Sequence, residues 1–270
     1  MSGLQKAIKY GALAFAAFLI ISIIGGIVGG LALMANIFDN RDVINDTFTD
    51  LNINTNYNSL DIDLISSNLT IKKGDTLKAE TNNSNISIKQ ENNRIYIKEK
   101  KTGWFTNITG DLVIYVPTDL IFNDINIDSG AGKINIDFLI ANQLELDLGA
   151  GNVKIDYLDV LKRGEVNGGA GEFSILNGHM NNMDFDLGVG KIVLTSNLIG
   201  TSKIDCGVGE TNINLLGTKD DYQISVDKGI GSITINDESV NGNTYYGNGI
   251  NKVDIDGGIG SININFITND

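Results

Sequence analysis

Seven residues at one recurring place have the clearest capacity for chemistry in this chain: Asp128, Asp147, Asn167, Asp186, Asp205, Asp227 and Asp256. Each stands two residues before a glycine in phrases such as INIDSGAGKINI, LELDLGAGNVKI and VDIDGGIGSINI. Stacked as neighbouring strands, such carboxylates would lie about 4.8 Å apart. Each pair would then repel by about 0.9 kcal/mol in water. Two arrangements would offset that repulsion. The side chain could accept the N–H of the first glycine as an Asx-turn, or a strip of Ca²⁺ ions could lie between coils. Asn167 serves the turn as well as aspartate does. The Ca²⁺-binding nonapeptide pattern needs Asp two residues after its second spaced glycine, where Phe173 and Ile262 stand. Turn capping is therefore the expectation, with no metal and no cofactor.

Other reactive residues are sparse. His179 is the single histidine and has no nucleophile or carboxylate marked out as its partner, so it reads as a surface residue. Cys206 is the single cysteine, which excludes an internal disulfide framework. It precedes the first glycine of one copy, where other copies hold Ser129, Leu148, Gly168, Leu187, Lys228 and Gly257, a variety that argues against shared chemistry. The Gly-x-Gly phrases join strand to strand and offer no helix N-terminus to a phosphate, so they are not dinucleotide fingerprints. A carbohydrate-cleaving β-helix would want clustered basic residues, but the repeats carry scattered lysines and one arginine, Arg163. No residue qualifies as catalytic, cofactor-binding or metal-binding, and the chain reads as a non-enzyme.

The elements that must carry these residues are strands. The first glycines are Gly130, Gly149, Gly169, Gly188, Gly207, Gly229 and Gly258, spaced by 19, 20, 19, 19, 22 and 29 residues. Positions −5, −3, +4 and +6 from each are mostly apolar, as in Val253, Ile255, Ile262 and Ile264. That is two strands with alternate residues inward, joined at a glycine corner. A period near 20 predicts a β-solenoid, a single-stranded β-helix of about eleven three-sided coils. Glycine is expected at the corner, at Gly188 and Gly207 for instance, because φ is positive there and neighbouring backbones lie close. The residue between the glycines grows from Ala131, Ala150 and Ala170 through Val189 and Val208 to Ile230 and Ile259, which reads as an inward column that widens.

Residues 51–124 have strand rhythm without the glycine phrase, and read as irregular first coils capping the seven repeats of 125–270. The long last spacing is an insertion near Asp237–Asn251 carrying Tyr245 and Tyr246, where binding or packing is expected. The seventh copy reads as the end of the stack. That end is either open to another chain or covered by the insertion, and the covered end is the expectation.

The N-terminus differs. Gly11 to Met34 runs 24 residues without a charge, about 36 Å of helix and enough to cross a bilayer. Lys6 and Lys9 precede it, so residues 1–10 are expected in the cytoplasm, 11–34 across the membrane, 35–50 as a neck and 51–270 outside. Gly25, Gly26, Gly29 and Gly30 would allow close helix pairing in a homo-oligomer. A formal charge of −13 argues against nucleic acid as a partner.

An apolar N-terminal segment, an irregular β part closing on Leu112–Pro117 and serial DxGxGxIxI phrases resemble the putative-adhesin family of bacterial domains of unknown function. That family includes surface proteins of Lia-type envelope-stress systems. The resemblance covers roughly residues 50–270. It implies a β-solenoid at the cell surface and transfers no catalytic residues. The expected function is a membrane-anchored, non-catalytic binding, adhesin-like or envelope-stress-sensing module, its partner an envelope protein, peptide or glycan. A self-assembling envelope scaffold is the alternative, and a carbohydrate-active enzyme a more distant one.

Overall fold

The structure is a computed structural model that describes residues 47–53, 57–101, 110–240 and 242–268. The expected tail 1–10, membrane helix 11–34 and most of the neck lie outside the described residues, as do Trp104 and Phe105. Among the described residues there is no helix, and so none long and apolar enough to cross a membrane.

The first part of the chain forms β1 (Thr49–Asp50), β2 (Ser59–Leu64), β3 (Asn68–Lys73), β4 (Lys78–Thr81), β5 (Ile86–Glu91), β6 (Arg94–Glu99) and β7 (Asp111–Val116). Long strands that pass through the glycine corner follow: β8 (Phe122–Ile136), β9 (Leu139–Ile155) and β10 (Leu158–Ile175). After the short β11 (Gly178–Asn181) come β12 (Met183–Ile199) and β13 (Thr201–Leu216). The chain finishes with β14 (Tyr222–Asp227), β15 (Ile230–Ile235), β16 (Glu238–Val240), β17 (Thr244–Tyr246), β18 (Asn251–Asp256) and β19 (Ile259–Ile267).

These strands stack in parallel and in register. On the side before the corner the order is β6, β2, β8, β9, β10, β12, β13, β18, β14. On the side after the corner it is β7, β3, β8, β9, β10, β12, β13, β19, β15. A shorter third side pairs Leu139 with Leu158, Leu158 with Gly178, and His179 with Asn197. Alternation puts Leu60, Ile62, Ile125, Ile127, Val166 and Phe185 inside, all at most 1% exposed. Each such side chain contributes about 1.5–3 kcal/mol on leaving water. The fold is thus the β-solenoid that the repeat predicts. Parallel coils number nine among the described residues, fewer than the eleven expected, and an antiparallel strand pairs with the outermost coil at each end.

Sequence order and stacking order part company at both ends. Copy seven is not terminal: β18 and β19 lie between copy five and copy six, so Gly258 stacks on Gly207 and Gly229 on Gly258. The chain runs out to β14 and β15, turns back through β16 and β17, and then slots its last copy inside. The beginning does the same, with β2 and β3 between β8 and the later β6 and β7.

The corner itself corrects two expectations. The first glycines do not have positive φ; the second ones do, from +142° to +154° between Gly132 and Gly260. The other half of the expectation, close approach of neighbouring backbones, is what the first glycines serve. A Cβ at Gly188 would collide with the carbonyl oxygen of Gly169, and one at Gly207 with that of Gly188. The residue between the glycines faces outward, not inward, and Ile230 is 71% exposed. The inward position is the one before the first glycine, where Ser129, Leu187 and Cys206 are buried.

Each end is closed by antiparallel strands. At the proximal end β5 pairs with β6, β4 with β7, and β1 with β4. At the distal end β17 pairs with β14 and β16 with β15. The insertion therefore covers the terminal coil as expected, but that coil is copy six. Tyr246 packs on Phe266 with ring centroids 5.8 Å apart, while Tyr245 on the edge strand is 80% exposed.

Candidate functional site

The strand register brings every candidate aspartate onto one side of the solenoid. From the proximal end their column reads Lys98, Asp63, Asp128, Asp147, Asn167, Asp186, Asp205, Asp256, Asp227. Two residues earlier a second outward column carries Asp61, Asn126, Glu145, Glu165, Asp184, Lys203 and Asp254. Together they make a long acidic side. Asp63 belongs to it although its coil lacks the glycine phrase; its strand, SLDIDL, shows the same acidic alternation as LELDL.

The column is not held by Asx-turns. Among the described residues no column side chain accepts from its own first glycine. Corner N–H groups instead reach the next coil: Ala131 donates to the Ile65 carbonyl at 3.0 Å and Ile230 to that of Gly258 at 2.8 Å. Repulsion is offset by other means. Lys98 pairs with Asp63. Lys203 Nζ lies 2.7 Å from Asp205 and 3.6 Å from Asp256. The Asn167 amide donates to Asp147 Oδ1 at 2.7 Å.

What remains uncompensated is visible in the carboxylates' proton affinity. Partial burial, then the charges of Asp63 and Asp147, push Asp128 above the usual carboxylate range. Glu145 is raised by burial, then by Asp147 and Glu165. Asp256 is raised by burial and by a hydrogen bond with Asp205. Asp61 is raised by burial, against the opposing pull of Arg94.

Over coils one to three this side is indented. A depression of about 310 Å³ is lined by Asp128, Asp147 and Asn167, by Ser129 and Leu148, and by glycine backbone. Ser129 is 5% exposed, at the inward position of its strand. Among the described residues no three His, Cys, Asp or Glu side chains are grouped to hold a metal ion.

A profile of the Toastrack DUF4097 family matches residues 44–255. The chain belongs to the Toastrack DUF4097 family. No match is found among curated proteins. Crystal structures similar to this Toastrack chain include a putative adhesin from Bacteroides fragilis, 11% identical, covering 81% of this chain and 96% of that one, TM-score 0.35. Another is a putative cell adhesion protein from Clostridium sporogenes, 17% identical, covering 82% and 99%, TM-score 0.34. A third is a putative adhesin from Parabacteroides merdae, 10% identical, covering 82% and 95%, TM-score 0.38.

Of the remaining candidates of the Toastrack domain, His179 and Cys206 lie apart from the acidic side, and Arg163 stands on it near Glu145. His179 is exposed on the third side, its backbone N–H donating to Asp159 Oδ1 at 2.8 Å and its ring Nδ1 3.2 Å from the same oxygen. Cys206 is buried, and burial pushes its thiol up to about 11, so at neutral pH it is a small apolar side chain. Arg163 Nε donates to Gln143 at 3.0 Å. One residue escaped sequence reasoning altogether. Glu99 is 5% exposed, and its Oε2 accepts the backbone N–H groups of Ile65, Ser66 and Ser67 at 2.7, 2.9 and 3.2 Å. Its Oε1 accepts from the Ser67 hydroxyl and the Asn83 amide, each at 2.9 Å. Nothing in its local sequence, KEKK, separates it from a solvated lysine-glutamate run.

Proposed function

We propose that the chain is a single-pass membrane protein with a cytoplasmic N-terminus that displays its solenoid outside the membrane as a non-catalytic binding module. The uncharged run Gly11–Met34, preceded by Lys6 and Lys9, supports the anchoring. One observation carries the binding mode: both ends of the stack are closed while the acidic side stays open along its length. An adhesin-like or envelope-stress-sensing partner, whether an envelope protein, peptide or glycan, then binds along the side. End-to-end scaffolding is disfavoured because the terminal coils already spend their strand edges on antiparallel caps.

Photo-cross-linkers installed at Glu165 on the acidic side and at Tyr245 on the distal cap test this in intact cells. Adducts to other molecules at Glu165 are expected. Adducts confined to Tyr245, joining two copies of this chain, would favour the scaffold. Protease added to intact cells should digest residues beyond 50 and spare the N-terminus; a protected C-terminal part would overturn the surface placement.

A further inference from the structure

Copy six carries what it needs to stand directly on copy five, where copy seven now stands. Asp205 and Asp227 are both partners of Asp256, Val208 and Ile230 both of Ile259, and Ile213 and Ile235 both of Ile264. Taking the inserted coil out therefore leaves two coils that face each other in the same register. Buried Ile224, Val226, Ile233 and Ile235 of copy six match Val253, Ile255, Ile262 and Ile264 of copy seven position by position. Such an exchange nearly conserves core volume. Chain length fits as well. Gly207 and Gly229 are 22 residues apart, against the 19 or 20 between earlier copies that stack directly.

The distal caps belong to copy six. β17 pairs with β14 and β16 with β15, on the edges turned away from copy seven. Two ways of opening the distal end then differ in cost. Peeling copy six away gives up one interface between coils and also the cap pairings, because an isolated hairpin is marginal in water. Expelling copy seven and closing copy six onto copy five gives up one interface too, but keeps both caps. We propose that copy seven is a releasable insert: the chain opens by letting out β18 and β19 while copy six, with its caps, closes onto copy five. Residues 251–267 then form an extended segment with Val253, Ile255, Ile262 and Ile264 in water, free to pair with another extended chain. Both ends of the stack stay closed. The observed order is favoured because it buries one coil more, and because Lys228 neighbours Gly257 in it and would meet Cys206 in the other.

Amide hydrogen exchange of the purified full chain tests the order of opening. Amides of β18 and β19 should exchange at least about tenfold faster than those of β14 and β15, although β14 and β15 lie further out in the stack. Exchange of β18 and β19 no faster than that of β14 and β15, whether by peeling in stack order or by all coils opening together, would overturn the proposal. Cysteine pairs catch the released state itself. Asp184, Lys203, Asp254 and Ser225 are consecutive outward neighbours along the stack. Lys203 and Ser225 thus lie two layers, about 9.6 Å, apart, beyond the reach of a disulfide, and so do Asp184 and Asp254. Release brings the first pair together and leaves the second pair apart. In a Cys206→Ala background under mild oxidant, Lys203→Cys/Ser225→Cys should cross-link severalfold faster than Asp184→Cys/Asp254→Cys. The cross-linked product should expose residues 251–267 to added protease. Equal cross-linking rates, or a product in which β18 and β19 stay protected, would each overturn it.

Discussion

The two ends of the solenoid face the same edge problem and close it with different chemistry. At the proximal end the corner of the β2–β3 coil points three consecutive N–H groups away from the stack, and the buried Glu99 carboxylate receives all three. At the distal end the cap pairings reach Val226 on one side and Ile233 on the other, leaving the corner between them exposed. There the Lys228 N–H meets only the side chain of Asn243, at 3.2 Å. The difference follows from polarity. The corner glycines turn their carbonyl oxygens toward the distal neighbour, as the blocked Cβ positions of Gly149 and Gly151 show. The stack therefore ends proximally in donors, which need a buried acceptor, and distally in acceptors, which water can satisfy. Glu99 acts on the corner column much as an N-cap acts on a helix.

The largest expected effect breaks what the two ends share. Gly190→Ala combines a backbone at φ +147° with a Cβ driven into the Gly171 carbonyl, and Gly188→Ala meets the Gly169 carbonyl without the φ penalty. Both should lose more than about 4 kcal/mol or fail to fold, with Gly190 the worse. Chemical denaturation measures this. Variants that melt within a degree or two of wild type would end the stacked-corner account.

Next comes the contrast between the ends. Glu99→Ala leaves three N–H groups, one buried and two partly buried, without an acceptor and should cost about 3 kcal/mol. Asn243→Ala, at the exposed distal corner, should cost less than about 1 kcal/mol. Equal costs would show that the ends are equivalent. A test of end-to-end association should avoid Ile264, which is fully buried between copies five and six; Ile264→Lys would wreck the core instead of reporting on contacts between chains. Tyr245→Lys on the exposed edge strand is the sound choice, and the capped end predicts that sedimentation at rising concentration is the same with and without it.

A smaller effect is distributed along the acidic side. Asp61, Asp128, Glu145 and Asp256 are raised from ordinary values of 3.8 or 4.5, so the folded state holds protons there that the unfolded chain has released. For raised acids, stability is complete below the ordinary value and is lost as pH rises through the folded one. Glu80, lowered by its hydrogen bond from Lys78, and Asp221, lowered by the Thr218 backbone N–H, have the opposite sign and lose stability as pH falls below their ordinary values. The melting temperature should therefore rise as pH drops from neutral toward the ordinary carboxylate range, then fall below it. Added salt should raise it at neutral pH by screening the same repulsion. A melting temperature that falls steadily from neutral pH downward would contradict the account.

The middle of this molecule was legible in the sequence and the ends were not. Period, strand type, glycine corner and outward aspartates follow from alternation, which is local and repeated in seven copies. The facing of the residue between the glycines was misread because the corner interrupts alternation: Ala131 looks inward by count but turns out with the backbone. Stacking order was illegible for a different reason. Ile224–Val226 and Val253–Ile255 carry the same pattern, so either could be terminal, and the choice falls to β16 and β17, whose short strands have no such signature. The Glu99 cap joins residues 32–34 apart in sequence, beyond any local pattern.

The smallest effect lies midway between the ends and has the opposite sign to the corner substitutions. The inward position before the first glycine holds Leu148 and Leu187 in neighbouring coils but Gly168 between them, over a cavity of about 40 Å³. Gly168 has no positive φ, and a Cβ there would meet Leu187 Cδ2 at 3.5 Å and the Asp186 carbonyl at 3.6 Å, which is ordinary contact. Gly168→Ala should then stabilise by about 0.4–1 kcal/mol, by restricting the unfolded chain, and the methyl also fills part of the cavity. In a domain of this size that is a rise of about 2–4 °C per kcal/mol. Gly169→Ala, one residue later, drives a Cβ into the Gly149 carbonyl and should destabilise strongly. Adjacent glycines with opposite outcomes are a sharper test of the corner than either alone. A substitution neutral at both positions would mean that the coils are not stacked as closely as the blocked Cβ positions require.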